Sequence, residues 1–224
     1  MVFGYGSNEK IHNVAGVRLS AVSAGIRYQD KLDLVLIELS EQTTVVGAFT
    51  QNAFCAAPVV IAKSHLSSHD PRVFVINTGN ANAGTGDIGQ KHALESCQIV
   101  AKHAGVATQQ VLPFSTGVIG EELPIDKLIA GVPKALLCLD EGAWEDAAIG
   151  ILTTDTRPKL VSKQIELAGS LLTITGMAKG SGMIRPNMAT MLSYVFTDAL
   201  VEKKLLDEII VQLLDKSFNR ITVD

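Results

Sequence analysis

The stretch "KGSGMIRPNMATMLSYVFTDA", residues 179–199, places a glycine-rich segment and a Pro186-Asn187 pair directly before an apolar run that opens at Thr190. A threonine hydroxyl is a poor nucleophile unless a base takes its proton. Its own α-amino group, with a pKa of roughly 8, can be that base once the chain is cut just before it. Ala189 leaves its carbonyl with little steric cover. A loop held against a rigid strand could present that carbonyl to the Thr190 hydroxyl for an N-to-O acyl shift followed by hydrolysis. On these residues alone the plainer reading is favoured: Thr190 is a β-branched residue opening a strand.

Other segments imitate sites. "GTGDIG", 84–89, matches G-x-G-x-x-G. A dinucleotide site needs those glycines directly after a strand and an acidic residue about twenty positions on. The strand is expected to end near Asn77 and no such acid follows, so a structural loop is the better reading. His65 and His69 are four apart, but "KSHLSSHDP" reads as turn chemistry without a third ligand. His12, His92 and His103 are scattered and fit no triad order. "TITGMAKGSG" has no G-K-[ST] and is not a phosphate loop.

The elements that would position such residues alternate along the chain. "LDLVLIEL" (32–39), "TTVVGAF" (43–49), "PVVIAK" (58–63) and "RVFVIN" (72–77) read as strands of a mostly antiparallel sheet. The Gly- and Asn-rich stretch 78–89 is expected to need unusual backbone angles. A helix follows, with Ala93, Cys97, Val100, Ala101 and Ala104 on one stripe and Gly105 as its stop. "VLPFSTGVIG" (111–120) reads as a strand split by a Ser-Thr-Gly turn. A helix from Pro124 carries Leu128, Ile129, Val132 and Leu136, and Pro133 is expected to break or kink it. A short helix spans 144–152, "KQIEL" and "LLTITGMAK" form a hairpin, and 201–218 is helical. "SFNRITVD" reads as the opening of a further strand, so more sequence is expected beyond Asp224. No repeat, linker or low-complexity segment interrupts this order, which implies a layered α/β body.

Composition narrows the function. The 224 residues are 47% hydrophobic and 19% charged, with 19 Lys and Arg against 23 Asp and Glu, a net charge of −4 and a mean hydropathy of +0.27. A chain of this size buries roughly 70–75% of its unfolded surface, and its low charge fits an enzyme body rather than disorder. No basic block interleaves with aromatics, so nucleic acid is not an expected partner. The N-terminus lacks the apolar core of a signal peptide, and the apolar runs are too short for a membrane span. Cys55, Cys97 and Cys138 read as reduced core thiols of a cytoplasmic protein.

Longer blocks are more specific than any of these. "GAFTQNAFCAAPV", "INTGNANAGTG", "STGVIGEELPIDKL", "TTDTRPK", "KGSGMIRPNMATML" and "SFNRITVD" resemble, in order, blocks of the ornithine acetyltransferase (ArgJ) family, which makes glutamate N-acetyltransferases of arginine biosynthesis. The resemblance covers nearly the whole chain. It implies cleavage between Ala189 and Thr190, Thr190 as nucleophile, and an oxyanion hole at Thr116 and Gly117. Acyl transfer passes through a tetrahedral oxyanion that needs fixed donors aimed at it. The resemblance also makes Thr153, Lys179 and Thr190 substrate contacts. Without it, Lys179 reads as a solvated lysine, Thr153 as a turn or cap residue, and Thr116-Gly117 as a plain turn.

Further implications follow from the same resemblance. The fold is expected to be a layered α/β sandwich with mixed, largely antiparallel sheets and flanking helices, as in self-processing threonine acyltransferases. Residues 1–189 would form an α segment, and 190–224 the start of a β segment that begins with the nucleophile. The reaction would be ping-pong transfer of an acetyl group from N-acetylornithine to glutamate through an acetyl-threonine, without a cofactor or metal. Acetyl-CoA enters only as a co-substrate that some members accept. The two segments are expected in an α2β2 assembly. Two alternatives stay open: a hydrolase or aminopeptidase with the same self-released threonine, and an inactive, truncated binding protein.

Overall fold

Residues 10–182, 184 and 191–223 are described in the computed structural model. Two sheets stack face to face, and helices close the outer side of the first. The first sheet has the order β1-β2-β3-β4, built from Val17–Val22, Leu34–Leu39, Val73–Asn80 and Val111–Val118. The first two pairings are antiparallel and β3–β4 is parallel. The first sheet is therefore mixed and largely antiparallel, as expected. A parallel pair needs a crossover, and α2 (Gly86–Ala104) supplies it. The second sheet, β5-β6-β7, is antiparallel throughout: Lys159–Leu167, Ser170–Lys179 and Leu192–Thr197.

Alternation along the strands sorts the core into two layers. Val35, Ile37, Phe74, Ile76 and Leu112 face the second sheet, where they meet Leu160, Met177, Tyr194 and Phe196. Trp144 packs edge-on against Phe196 with ring centroids 5.5 Å apart. Leu34, Leu36, Val73, Val75 and Val111 face the other way, onto α2 and α3 (Ile125–Leu137). Strand β2 is buried on both faces, which is why "LVLI" shows no polar alternation.

Five sequence expectations fail locally. "PVVIAK" lies inside helix α1, Ala57–Ser68, not in a strand. Proline sits in the first helical turn, where a missing N–H costs nothing, and half-buried Ile61 packs against the core under α2 and α3 rather than pairing in a sheet. His65, also in this helix rather than in a turn, places Nδ1 2.8 Å from the Val111 carbonyl oxygen. A carbonyl only accepts, so Nδ1 carries the proton, and α1 thereby covers the edge strand of the sheet. Residues 43–49 form no strand. Pro133 leaves α3 continuous, because Leu128, Val132 and Ala135 seat the helix on the sheet and burial offsets one absent bond. The Ser-Thr-Gly residues do not split β4; they lie within it, directly before its last residue Val118.

The remaining elements are α4 (Trp144–Gly150) and α5 (Lys203–Lys216). Gly105 ends α2 in the left-handed conformation, as its position implies. At the end of the described chain a 3-10 turn, Phe218–Arg220, precedes an antiparallel bridge between Val223 and Ile184. Of the cysteines only Cys97 is a core thiol; Cys55 is half-buried and Cys138 exposed, because it follows α3 on the outside. No helix among the described residues is long and apolar enough to cross a membrane.

Candidate active site

The parallel pairing of β3 with β4 ends in a distortion. Thr78 pairs with Thr116 and Gly79 with Gly117, and Asn80 then faces both Thr116 and Val118. Gly117 has φ +139°, and a Cβ there would lie 2.2 Å from the Gly79 carbonyl carbon and 2.4 Å from the Asn80 nitrogen. Only glycine fits this approach.

Asparagines hold the turn from below. Asn77 donates from Nδ2 to the Asn80 carbonyl. Asn80 donates to the carbonyls of Glu121 and Glu122, both at 3.1 Å, and accepts the Asn82 N–H at 2.7 Å. Asn82 donates to the Gly89 carbonyl at 2.9 Å, and Thr78 to that of Gly150 at 2.6 Å. The segment "INTGNANAGTG" is thus a hydrogen-bonded scaffold, and the glycines of "GTGDIG" lead into α2 with left-handed Gly84 and Gly86. Composition signals such a loop, but nothing local in the sequence reveals these partners.

Above the turn lies Lys179, the last residue of β6. Its ammonium is 3.0 Å from Thr116 Oγ1 and 2.8 Å from Thr153 Oγ1, and the residue is only 6% exposed. The sequence separates these three by dozens of positions, and the two-sheet stack brings them together. Lys179 is not solvated, against the plain reading of a lysine in a glycine-rich loop. Burial lowers its pKa, and the negative charge of Asp155 opposes that shift.

Asp155, which the sequence reading leaves as turn chemistry, supports the loop beside the cleft without lining it. Its side chain is fully buried. Oδ1 accepts the Gly180 N–H at 2.8 Å and pairs with the Lys159 ammonium, while Oδ2 is buried without a partner among the described residues. Burial alone would raise its pKa, but the bonds from Lys159 and Gly180 outweigh burial and hold it below the ordinary value.

Thr116, Gly117, Thr153 and Lys179 line one cleft of about 1170 Å³, walled largely by apolar residues of 43–59, β7 and α5. Met191 and Leu192 line it too. Ala189 and Thr190 lie outside the described residues. No cluster of three or more His, Cys, Asp or Glu side chains suited to a metal occurs among the described residues. The four lining residues could supply backbone and hydroxyl donors for a developing oxyanion and a cation for a carboxylate.

Two stacked sheets of this kind place the chain in a wider class. An L-aminopeptidase D-Ala-esterase/amidase from Ochrobactrum anthropi, described as a new variant of the Ntn hydrolase fold, superposes with a TM-score of 0.52 at 15% identity, covering 94% of this chain and 69% of that one. That likeness concerns the fold alone.

Family membership is closer. The ArgJ family model matches residues 18–224, and the chain belongs to the ArgJ family. It is 53% identical over 216 residues to the arginine biosynthesis bifunctional protein ArgJ of Psychrobacter arcticus, covering 96% of this chain and 53% of that protein. The ArgJ of Methylococcus capsulatus is 49% identical over 218 residues, with 97% and 53% covered. The chain spans about half the length of these curated relatives. Among solved structures, the ArgJ of Bacillus halodurans gives a TM-score of 0.71 at 32% identity, covering 79% of this chain and 92% of that one. An ornithine acetyltransferase from Mycobacterium tuberculosis, in complex with ornithine, gives 0.69 at 34%, covering 77% and 92%.

Proposed function

We propose that this chain is part of a glutamate N-acetyltransferase of arginine biosynthesis, which cuts itself between Ala189 and Thr190 and then carries the acetyl group on Thr190. The reading rests above all on one observation: the Lys179 ammonium joins the Thr116 and Thr153 hydroxyls beside Gly117, in the cleft that Met191 also lines. Residues 1–189 are then the α segment, and the β segment begins at 190. Each solved relative is matched over 92% of its length by less than four fifths of this chain. Each is therefore shorter than this chain, as a segment stopping near position 189 would be.

In the reaction, the freed Thr190 amine takes the proton of its own hydroxyl. The Oγ attacks the acetyl carbonyl of N-acetylornithine, and the oxyanion is met by Thr116 and the Gly117 N–H. The C–N bond breaks, ornithine leaves with the proton from the Thr190 ammonium, and the acetyl group stays as an ester. The amine of glutamate then attacks the ester, releasing N-acetylglutamate and restoring Thr190. Thr153 and Lys179 contact the substrate, and no cofactor or metal takes part. Acetyl-CoA enters the reading only as a co-substrate of the kind some family members accept. An α2β2 assembly in the cytoplasm completes the reading.

Intact mass of the full-length protein tests the cut: two fragments meeting at 189/190 are expected, and a single chain for Thr190→Ala. N-acetylornithine with labelled glutamate tests the transfer. Labelled N-acetylglutamate is the expected product. Free acetate alone means hydrolysis, and a wild-type chain that stays whole yet transfers acetyl at full rate overturns Thr190 as nucleophile.

A further inference from the structure

Lys179 touches two hydroxyls at once, and the direction of those hydrogen bonds is fixed by chemistry. A protonated lysine has three N–H donors and no lone pair. In both contacts the threonine oxygen must therefore accept, at 3.0 Å for Thr116 and 2.8 Å for Thr153. Each hydroxyl keeps one proton to give. Neither Thr116 nor Thr153 donates its hydroxyl proton to another group among the described residues, and both line the cleft.

We propose that Lys179 is a positioning residue that turns the Thr116 and Thr153 hydroxyl protons into the cleft, so that both side chains meet the reacting group as donors. The inference rests on the acetyl-transfer reading above and adds to Lys179 a role beyond substrate contact. A neutral amine would carry a lone pair, could accept from either threonine, and would let the hydroxyls turn inward; charge on Lys179 is what sets their sense.

The surroundings hold the lysine in place. It ends β6 opposite Leu192 of β7, and the next N–H, of Gly180, is fastened to buried Asp155. Asp155 thus fixes the backbone beside the ammonium, and its charge favours the protonated form. The third N–H of Lys179 remains for the substrate.

The test is a mutant cycle in the full-length protein, with N-acetylornithine and glutamate as substrates and self-cleavage followed by mass. If Lys179 acts through Thr116, Lys179→Met and Thr116→Ala each lower kcat by about 100-fold or more. The double variant then falls no more than about threefold below Thr116→Ala, because both changes remove the same donor. KM for N-acetylornithine rises as well in Lys179→Met, through loss of the third N–H, but stays near the wild-type value in Thr116→Ala. Losses that multiply in the double variant, or a raised KM with kcat intact in Lys179→Met, overturn the proposal and leave Lys179 as a substrate contact only.

Lys179→Arg and Lys179→Gln give a second readout if Lys179→Met is not cut. Arginine only donates and should keep cleavage and transfer within about tenfold, whereas glutamine can accept and should lose both. Equal behaviour of the two overturns the inference. A wild-type protein that neither cuts nor transfers acetyl rejects the underlying functional reading instead.

Discussion

Gly117 lies against Gly79 so closely that a single added methyl group would sit 2.2 Å from the Gly79 carbonyl carbon. The Gly79–Gly117 pair, just before the distortion at Asn80, is thus locked by the absence of side chains. Gly117→Ala must push the strands apart and also accept φ +139°. The expected loss is about 3 kcal/mol or more. For a chain of this size that corresponds to a Tm lower by about 6–12 °C in thermal unfolding.

Asn80 serves three backbone groups with its side chain, the carbonyls of Glu121 and Glu122 and the Asn82 N–H, and its own carbonyl accepts from Asn77 Nδ2. Asn80→Ala leaves three of these groups without their partner. A buried polar group left unpaired costs about 1–3 kcal/mol, so a loss of about 3 kcal/mol is expected. Urea unfolding should show a lower midpoint with an unchanged slope.

Asp155 gives a pH signature. Its carboxyl is held below the ordinary aspartate value of 3.8, chiefly because Lys159 and Gly180 outweigh the opposing effect of burial. A depressed folded pKa means that the stabilisation is complete above the unfolded value and is lost as pH falls from about 4 through the lower folded value. The wild type should exceed Asp155→Asn in Tm at pH 6, and the gap should shrink steadily below pH 4. A gap that stays constant down to pH 2 would show that the charge contributes nothing.

If the chain is cut before Thr190, its two pieces should stay together. Strand β7 pairs with β6 from Leu192 opposite Lys179 to Thr197 opposite Ile174, and Tyr194 and Phe196 are buried in the inter-sheet core. Both pieces should elute as one species in native gel filtration and separate only in denaturant.

Much of the scaffold is legible in the sequence. Strands β2 and β3, helix α2 with its Gly105 stop, and the β5–β6 hairpin follow from period and punctuation. Helix α1 does not, because "PVVIAK" is as apolar as a strand and only packing against β4 decides for a helix. The site is less legible still. Thr116, Thr153 and Lys179 are placed together by the stacking of two sheets, and no local pattern announces it; the resemblance to a family singled them out. Asp155 escaped even that, since its value lies in burial and in a bond to Gly180, neither of which a turn-like sequence displays.

Lys179 and Leu192 are ladder partners, so residues 180–191 close a ring whose two ends already sit side by side. Tethering both ends of roughly a dozen residues costs about 2 kcal/mol of chain entropy. A severed peptide bond in that ring releases the tether while every rung between β6 and β7 stays intact. Scission would then run downhill, with resealing opposed by the freedom the new termini have gained.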